Sequence, residues 1–174
     1  MADTRPARVA ALRRAIKAHH ADALLITSLP NIRYLTGFSG SAAMLVVTMS
    51  DIVMLTDFRY QEQVLHEVAS SARVVIEAQS LWTRLWSLLP ELGVERVAFE
   101  TAHLPHRDFS RLIESGSRWP WRATSDLVEA LRERKDPGEL DCIRTAAAIA
   151  TGALERTLPH CRPGMTELEI AGVL

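Results

Sequence analysis

Three short segments contain residues whose types and spacing could support chemistry. GFSGS at 37–41 nearly matches the Gly-x-Ser-x-Gly motif, in which a strained turn presents a nucleophilic serine. Serine occupies position 41, where that motif needs glycine, and the apolar residues that follow predict a strand instead of a helix. We therefore interpret the segment as a glycine-rich turn that leads into a strand. A hydrolase built on Ser39 remains the weakest alternative.

His103 and His106 lie three residues apart and close to Glu100, and these are residue types that bind zinc. Pro105 is predicted to begin a helix, so the two imidazoles do not share a helical face. Solvent-exposed loop histidines are the favoured interpretation. A metal site or a hydrolase based on this pair is kept as a minor alternative.

The segment TDFRY at 56–60 is the most informative of the three. Asp57 is well placed to cap a helix, and this alone would explain its presence. Arg59 and Tyr60 then fall in the first turn, where the helix dipole disfavours a cation by a few tenths of a kcal/mol. Such an arginine indicates an anionic partner elsewhere. No segment pairs a nucleophile with a base, or carboxylates with a metal-binding histidine, at a convincing spacing.

The elements that must position these residues follow from hydrophobic periodicity. Helices are predicted at 5–20, from Asp57 to about Ala69, and at 81–89, 105–114 and 125–134, the last with Ser125 as its cap. Strands are predicted at 23–27, 42–48, 51–56, 73–77, 96–100 and 119–123, with the second and third forming a hairpin. Gly37 is placed to end one helical turn. The predicted fold class is α/β, a mixed β-sheet of about five or six strands flanked by helices, followed by one long helix and a stub.

The clearest boundary follows the charged segment LRERKD at 131–136. Asp136, Pro137 and Glu139 then carry the signals of a new helix, with Asp136 as its cap. That helix is predicted to reach about Leu158. We expect an α/β domain at 1–134 and a second segment at 135–174. The apolar positions of the long helix form one stripe: Leu140, Ile143, Ala147, Ala150, Leu154 and Leu158.

A second capping box, Thr166 with Glu169, begins another helix close to the last residue. An isolated helix of about two turns is marginal, so we expect this segment to be the opening of an unfinished domain. The stripe of the long helix should then lack its normal cover. We expect it to pack against a second copy, to fold back, or to be poorly ordered.

Composition excludes several functional classes. Twenty basic and twenty-one acidic residues give a net charge of −1, which predicts no general attraction to nucleic acid or to an anionic membrane. The N-terminal residues lack the apolar stretch of a signal peptide. The two cysteines, Cys142 and Cys161, do not make a disulfide framework or a zinc motif. We expect a soluble, cytoplasmic protein.

Four segments in this order resemble one family: DALLITSLPNIRYLTGFSGSAAMLVV, TDFRYQEQ, LRERKDPGELDCIRTAAAIA and RPGMTELEIA. Together they resemble the N-terminal part of the proline-specific metallopeptidases related to creatinase, the Xaa-Pro aminopeptidases and Xaa-Pro dipeptidases (prolidases). The resemblance covers nearly the whole chain. It implies a small α/β creatinase-like N-terminal domain followed by the start of a truncated pita-bread catalytic domain.

The resemblance also implies what the parent protein does. The parent would hydrolyse the bond before proline in peptides, with two divalent metals (manganese, cobalt or zinc) held by residues beyond this chain. No catalytic residue, metal ligand or cofactor is implied within it. The domain would serve assembly of a homo-oligomer, such as a dimer, and would restrict access to the substrate site.

Four residues in the matching motifs are candidates for a position near the substrate of a partner subunit: Arg59, Tyr60, Asn31 and Tyr34. Arg59 could approach a substrate carboxylate, or could be structural and tie the helix start to the NIRY segment. The alternative to a peptidase domain is a free-standing binding module, or a pseudo-enzyme that lost its catalytic half.

Overall fold

The computed structural model describes residues 3–68 and 70–174. The chain divides into two compact units. One unit ends at Arg134, and the other spans Lys135–Leu174.

The first unit is built on a mixed six-stranded sheet in the order β4-β3-β2-β1-β5-β6. The strands are β1 (Ala23–Ile26), β2 (Ala43–Thr48), β3 (Ile52–Asp57), β4 (Arg73–Glu77), β5 (Val97–Glu100) and β6 (Trp121–Thr124). β2 runs antiparallel to β1 and to β3, whereas the β3–β4, β1–β5 and β5–β6 pairs are parallel. The predicted mixed sheet is therefore confirmed. Its predicted hairpin joins β2 to β3, and Thr48 N donates to Asp51 O at 2.9 Å in the turn.

Helices cover both faces of this sheet. They are α1 (Arg5–Ala18), α2 (Leu29–Thr36), α3 (Gln61–Glu67), α4 (Leu81–Glu91), α5 (His106–Glu114) and α6 (Glu129–Glu133). Successive side chains of a strand point to opposite faces, so Leu24 and Ile26 of β1 join one core and Leu25 joins the other. Leu12 of α1 packs in the first of these cores, and Leu88 of α4 packs in the second.

The sheet topology determines where polar residues gather. β1, β5 and β6 are parallel neighbours, so their carboxyl ends lie at one edge of the sheet. Thr27 and Ser28 follow β1, Glu100 ends β5 and Thr124 ends β6. Such an edge is where open α/β sheets place their functional groups.

The prediction of a helix at 125–134 capped by Ser125 was wrong. Asp126 has a left-handed backbone with φ of 60°, and the α-helix begins only at Glu129. The Ser125 hydroxyl does not cap a helix, because it is hydrogen-bonded to the Thr101 hydroxyl at 2.8 Å. A left-handed residue breaks the helical path, so the segment 126–128 forms turns.

Two further boundaries differ from prediction. Asp57 is a cap, as predicted, but the segment after it begins as a 3₁₀ turn (Phe58–Tyr60) before α3. The predicted helix end near Ala69 lies outside the described residues. The last strand begins at Trp121 instead of Trp119, because Trp119 N donates to Gly116 O in a turn and Pro120 has no amide hydrogen.

The second unit contains α7 (Pro137–Thr157) and α8 (Glu167–Val173). Both predicted capping boxes are present, and Glu139 N donates to Asp136 Oδ1 at 2.9 Å in the first of them. Every residue from 141 to 151 is exposed. Five large apolar side chains in or directly after α7 are 39 to 67% exposed: Leu140, Ile143, Ile149, Leu154 and Leu158. That the apolar stripe of α7 packs against a second copy, folds back or is poorly ordered stays a prediction.

Within the described ranges, no helix has both the length and the apolar character that crossing a bilayer would require.

Candidate functional site

The loop at 37–41 packs directly against the TDFRY segment. Gly37 ends α2 with φ of 89°, a left-handed conformation that glycine adopts without strain. The Tyr60 hydroxyl accepts from Ser41 N at 3.1 Å and shares a hydrogen bond with Ser41 Oγ at 2.6 Å. The Tyr60 ring meets the Phe38 ring edge-on, with centroids 5.3 Å apart. Hydrogen bonding to Ser41 also lowers the pKa of Tyr60.

Gly40 is required by this contact. A Cβ at position 40 would lie 2.2 Å from Phe38 Cζ and 2.8 Å from Tyr60 Cδ1. The Phe38 side chain is buried, so its ring has little room to move. Glycine at this position therefore allows the loop to lie flat on the two rings.

Arg59 is held by the residue that caps its own turn. Its backbone N donates to Asp57 Oδ1 at 3.0 Å, its Nε to the same oxygen at 2.9 Å, and its Nη2 to Asp57 Oδ2 at 2.6 Å. These bonds lower the pKa of Asp57. Nη1 makes no hydrogen bond within the described ranges, and the side chain is 58% exposed. The anionic partner of Arg59 is thus Asp57, and its hydrogen bonds do not reach the NIRY segment.

Ser39 is paired with a carboxylate. Its Oγ donates to Glu67 Oε1 at 2.6 Å, its N donates to Glu67 Oε2 at 2.7 Å, and Gln63 Nε2 donates to Ser39 Oγ at 2.9 Å. The hydrogen bonds from Ser39 lower the pKa of Glu67. A carboxylate with a lowered pKa is a poor base for a serine hydroxyl. This geometry does not favour a hydrolase built on Ser39.

Asn31 lies at the centre of a buried polar cluster. Its Nδ2 donates to Glu100 Oε1 at 2.6 Å and to Glu129 Oε1 at 2.5 Å. Its Oδ1 accepts from Arg132 Nη1 at 2.9 Å. Asn31 is fully buried. One amide side chain therefore joins α2, the end of β5 and α6, and no peptide can reach it in this arrangement.

The two carboxyl groups of the cluster differ in their surroundings. Burial raises the pKa of Glu100, although its Oε2 accepts from Thr27 N at 2.9 Å and from Ser28 N at 3.0 Å. Partial burial also acts on Glu129, but hydrogen bonds from Asn31, its own backbone and His103 outweigh it and lower its pKa. The environment thus separates the two groups in proton affinity.

Tyr34 supports the same region from the side. Its hydroxyl donates to Leu131 O at 3.2 Å, and the Arg8 guanidinium lies 4.0 Å from the centre of its ring. Arg8 Nη1 also donates to Tyr34 O at 2.8 Å. The half-buried Tyr34 ring thus links α1 to the segment that carries Leu131.

The histidine pair does not form a metal site. His103 Nε2 contacts Glu129 Oε1 at 2.9 Å, whereas His106 begins α5. Among residues 3–68 and 70–174, no group of three or more His, Cys, Asp or Glu side chains could hold a metal ion. The described residues therefore do not fit the two-metal centre of the resembled peptidases.

A surface groove of about 500 Å³ lies between α2 and the 37–41 loop. Leu29, Pro30 and Phe38 give it apolar walls, and Arg33 and Arg132 line it with positive charge. It opens beside the 37–41 loop, whose Ser41 is hydrogen-bonded to the Tyr60 hydroxyl.

Sequence reasoning missed the role of Glu129 and treated Glu100 only as a neighbour of histidines. Glu100 ends the buried strand VAFE, and an acid directly after an apolar run is a recognisable signal. The sequence gives no comparable signal for Glu129, which lies in the interior of the helix predicted at 125–134.

Comparison with known proteins gives a consistent result. The family model described as "Creatinase/Prolidase N-terminal domain" matches residues 8–134. An uncharacterized peptidase of Bacillus subtilis, YqhT, is 31% identical over 156 residues, which are 88% of this chain and 43% of that protein. The chain spans less than half the length of the curated relatives it matches.

Solved structures show the same relationship. A Xaa-Pro dipeptidase from Bacillus anthracis superposes with a TM-score of 0.91 at 29% identity, covering 97% of this chain and 47% of that one. The N-terminal domain of the cytoplasmic peptidase PepQ from Mycobacterium tuberculosis H37Rv gives a TM-score of 0.65 at 33% identity, covering 72% of this chain and 98% of that one.

Proposed function

Because the chain belongs to the creatinase/prolidase N-terminal domain family, we propose that it is the non-catalytic N-terminal part of a Xaa-Pro peptidase. In the whole protein it would serve assembly and restrict access to the substrate site. The observation that carries the proposal is the family model, which covers residues 8–134. A solved N-terminal domain of PepQ, matched over 98% of its length, supports it.

The second unit is the start of the catalytic domain in this proposal. The exposed apolar side chains of α7 support it, since a helix with this much apolar surface normally packs against another element. The superposition with the B. anthracis dipeptidase, which covers 97% of this chain, extends over this unit as well.

The parent peptidase would use two divalent metals to activate water, and manganese, cobalt and zinc are the candidates. No described residue set of this chain fits them. The chain itself would therefore help to bind and position the peptide and would restrict access to the active site.

Arg59 is the residue of this chain best placed to touch a substrate. Its Nη1 makes no hydrogen bond with the described residues, and its guanidinium is bound by Asp57 through Nε and Nη2 and lies 5.4 Å from the Tyr60 ring centre. An oriented guanidinium suits the carboxylate of a short peptide, bound in the active site of a second subunit. Tyr60 would position it from the loop side. Buried Asn31 and half-buried Tyr34 would act by holding α2 beneath that surface.

We infer a homo-oligomer, with a dimer as its simplest form, that acts on proline-containing peptides. A cytoplasmic location is supported by the name of the M. tuberculosis relative and by the two free cysteines, Cys142 and Cys161.

A chimera tests the role of Arg59. This chain would replace the matching N-terminal part of the B. anthracis dipeptidase, and Xaa-Pro hydrolysis would be measured with manganese. Arg59→Ala should raise KM roughly tenfold to a hundredfold, because a charged hydrogen bond to the substrate is lost. Arg59→Lys should recover only part of that loss.

Arg107→Ala is the matched control, because Arg107 is also an exposed arginine, with 79% of its side chain accessible. It should leave KM unchanged. A folded chimera without activity would contradict the proposed equivalence of the two N-terminal parts. An active chimera that is indifferent to Arg59→Ala would contradict only the role of Arg59.

A further inference from the structure

The outer edge of β4 is an open edge of the sheet. β4 is the terminal strand, and in the described part of the chain only β3 pairs with it. The outward-facing N–H and C=O groups of such a strand are available to another strand. At the opposite edge lies β6.

The side chains of β4 are arranged for pairing on both faces. Val74 packs on the core that contains α1, and Val75 packs on the core that contains α4. Arg73, Val75 and Glu77 therefore share one face, and Val74 and Ile76 share the other. Ile76 is 37% exposed and has apolar surface left to cover. The three central residues are β-branched, which favours a strand.

We propose that β4 is the surface through which two copies of this chain associate, edge to edge and antiparallel, about a two-fold axis at Val75. Residues whose numbers sum to 150 then lie opposite each other. Arg73 faces Glu77 of the second copy, Val74 faces its Ile76, and Val75 faces its own equivalent. The two six-stranded sheets become one continuous sheet of about twelve strands.

The charges select this arrangement over others. A parallel pairing in register would place Arg73 opposite Arg73 and Glu77 opposite Glu77, and like charges directly opposite each other are unfavourable. Only the antiparallel register centred on Val75 forms both ion pairs at once. Charges on an edge strand usually prevent association, but here they have opposite signs at symmetric positions, so they are compatible with self-association.

The same face of the first unit already contains a matching pair of charges. Arg84 and Glu91 of α4 are ion-paired at 2.9 Å, and they lie in the electrostatic fields of Glu77 and Arg73, respectively. Glu77 Oε1 also accepts from Gln79 N at 2.8 Å, which holds its carboxylate at the end of the strand. The carboxylate of Glu77 is thus held in place by its own chain before a second copy arrives.

This inference rests on the assembly part of the proposed function and names the surface that would carry it. Sedimentation equilibrium of the 174-residue chain at low ionic strength tests it. Arg73→Glu and Glu77→Arg, made singly, should each weaken dimerisation at least about tenfold, because each places like charges opposite each other twice. The double variant Arg73→Glu/Glu77→Arg should restore the affinity to within about threefold.

Arg122→Glu on β6 is the control, since it makes the same charge change on an exposed residue of the opposite edge. It should leave dimerisation unchanged, and thermal unfolding of each variant should show an intact fold. A dimer that persists in both single variants would overturn the β4 interface and leave assembly in place. A monomeric wild-type chain would overturn the interface and the assembly role together.

Discussion

Asn31→Asp is expected to lower the free energy of unfolding by roughly 3 to 5 kcal/mol at neutral pH, the magnitude of a broken buried polar pair. The substitution keeps the shape of the side chain but replaces its donating Nδ2 with an oxygen. Glu100 and Glu129, which both accept from that nitrogen, would then face a third carboxyl group in a buried position, and the Arg132 guanidinium on the retained oxygen would offset only part of that repulsion. Urea denaturation measures the difference.

The loss of stability caused by Asn31→Asp should become smaller as the pH falls. Burial already raises the pKa of Glu100, so the folded state holds that proton more tightly than the unfolded state does. Stability from a group with a raised folded pKa is present below its unfolded pKa and is lost as the pH rises through the folded value. A third carboxyl group adds to this in the same direction. The deficit of Asn31→Asp should therefore shrink as the pH falls from neutral toward the ordinary carboxyl pKa of 4.5.

Gln63→Glu is the matched control for this experiment. Gln63 Nε2 donates to both oxygens of Glu67 at 3.0 Å, so the substitution again replaces a donor between carboxylate oxygens, but near the surface. Solvent screening should keep its cost within about 1 kcal/mol. Equal effects of the two substitutions would contradict the importance of burial in the Asn31 cluster.

Gly40→Ala is expected to lower the free energy of unfolding by about 1 to 3 kcal/mol, the magnitude of overpacking in protein cores. The new Cβ would lie 2.2 Å from Phe38 Cζ, so the ring, Tyr60 or the loop must move. Movement of the loop would also disturb the hydrogen bonds between Ser41 and Tyr60. Thermal unfolding followed by circular dichroism is the direct measurement.

A second substitution shows whether the clash is the cause. Phe38→Leu removes the ring atoms, so the double variant Gly40→Ala/Phe38→Leu should be more stable than the sum of the two single effects predicts. Gly172→Ala is the control, since a Cβ at position 172 would meet no atom within 4 Å. Strict additivity of the two substitutions would contradict the packing of Gly40 against Phe38.

Features that depend on a few neighbouring residues could be predicted from the sequence. The capping boxes at Asp136 and Thr166 and the β2–β3 hairpin are local, because their donors and acceptors lie within a few residues. Short apolar runs likewise identified the strands, and the order of helices and strands predicted a mixed sheet.

The polar cluster could not be predicted in this way. Asn31 is 69 residues from Glu100 and 98 from Glu129, so only the sheet topology brings them together. Ser125 failed as a helix cap for a related reason. Its hydroxyl has a partner in Thr101, which is 24 residues away in the chain and adjacent only at the sheet edge.

The candidate residues taken from the family resemblance divide into two groups in the structure. Arg59 and Tyr60 belong to the surface beside the 37–41 loop, whereas Asn31 and Tyr34 have partners inside the first unit. Motif matching alone could not separate them, because a residue in a matching motif can serve the core or the site. Burial and hydrogen bonding make the distinction.

The measurement that tests the central claim most directly combines catalysis with metal binding. The 174-residue chain would be assayed for Xaa-Pro hydrolysis with added manganese or cobalt, and the same metals would be titrated by calorimetry. A non-catalytic N-terminal domain predicts no turnover and no stoichiometric metal binding. Turnover that rises with bound metal would contradict the account, and Glu100, His103 and His106 would then be the first residues to substitute.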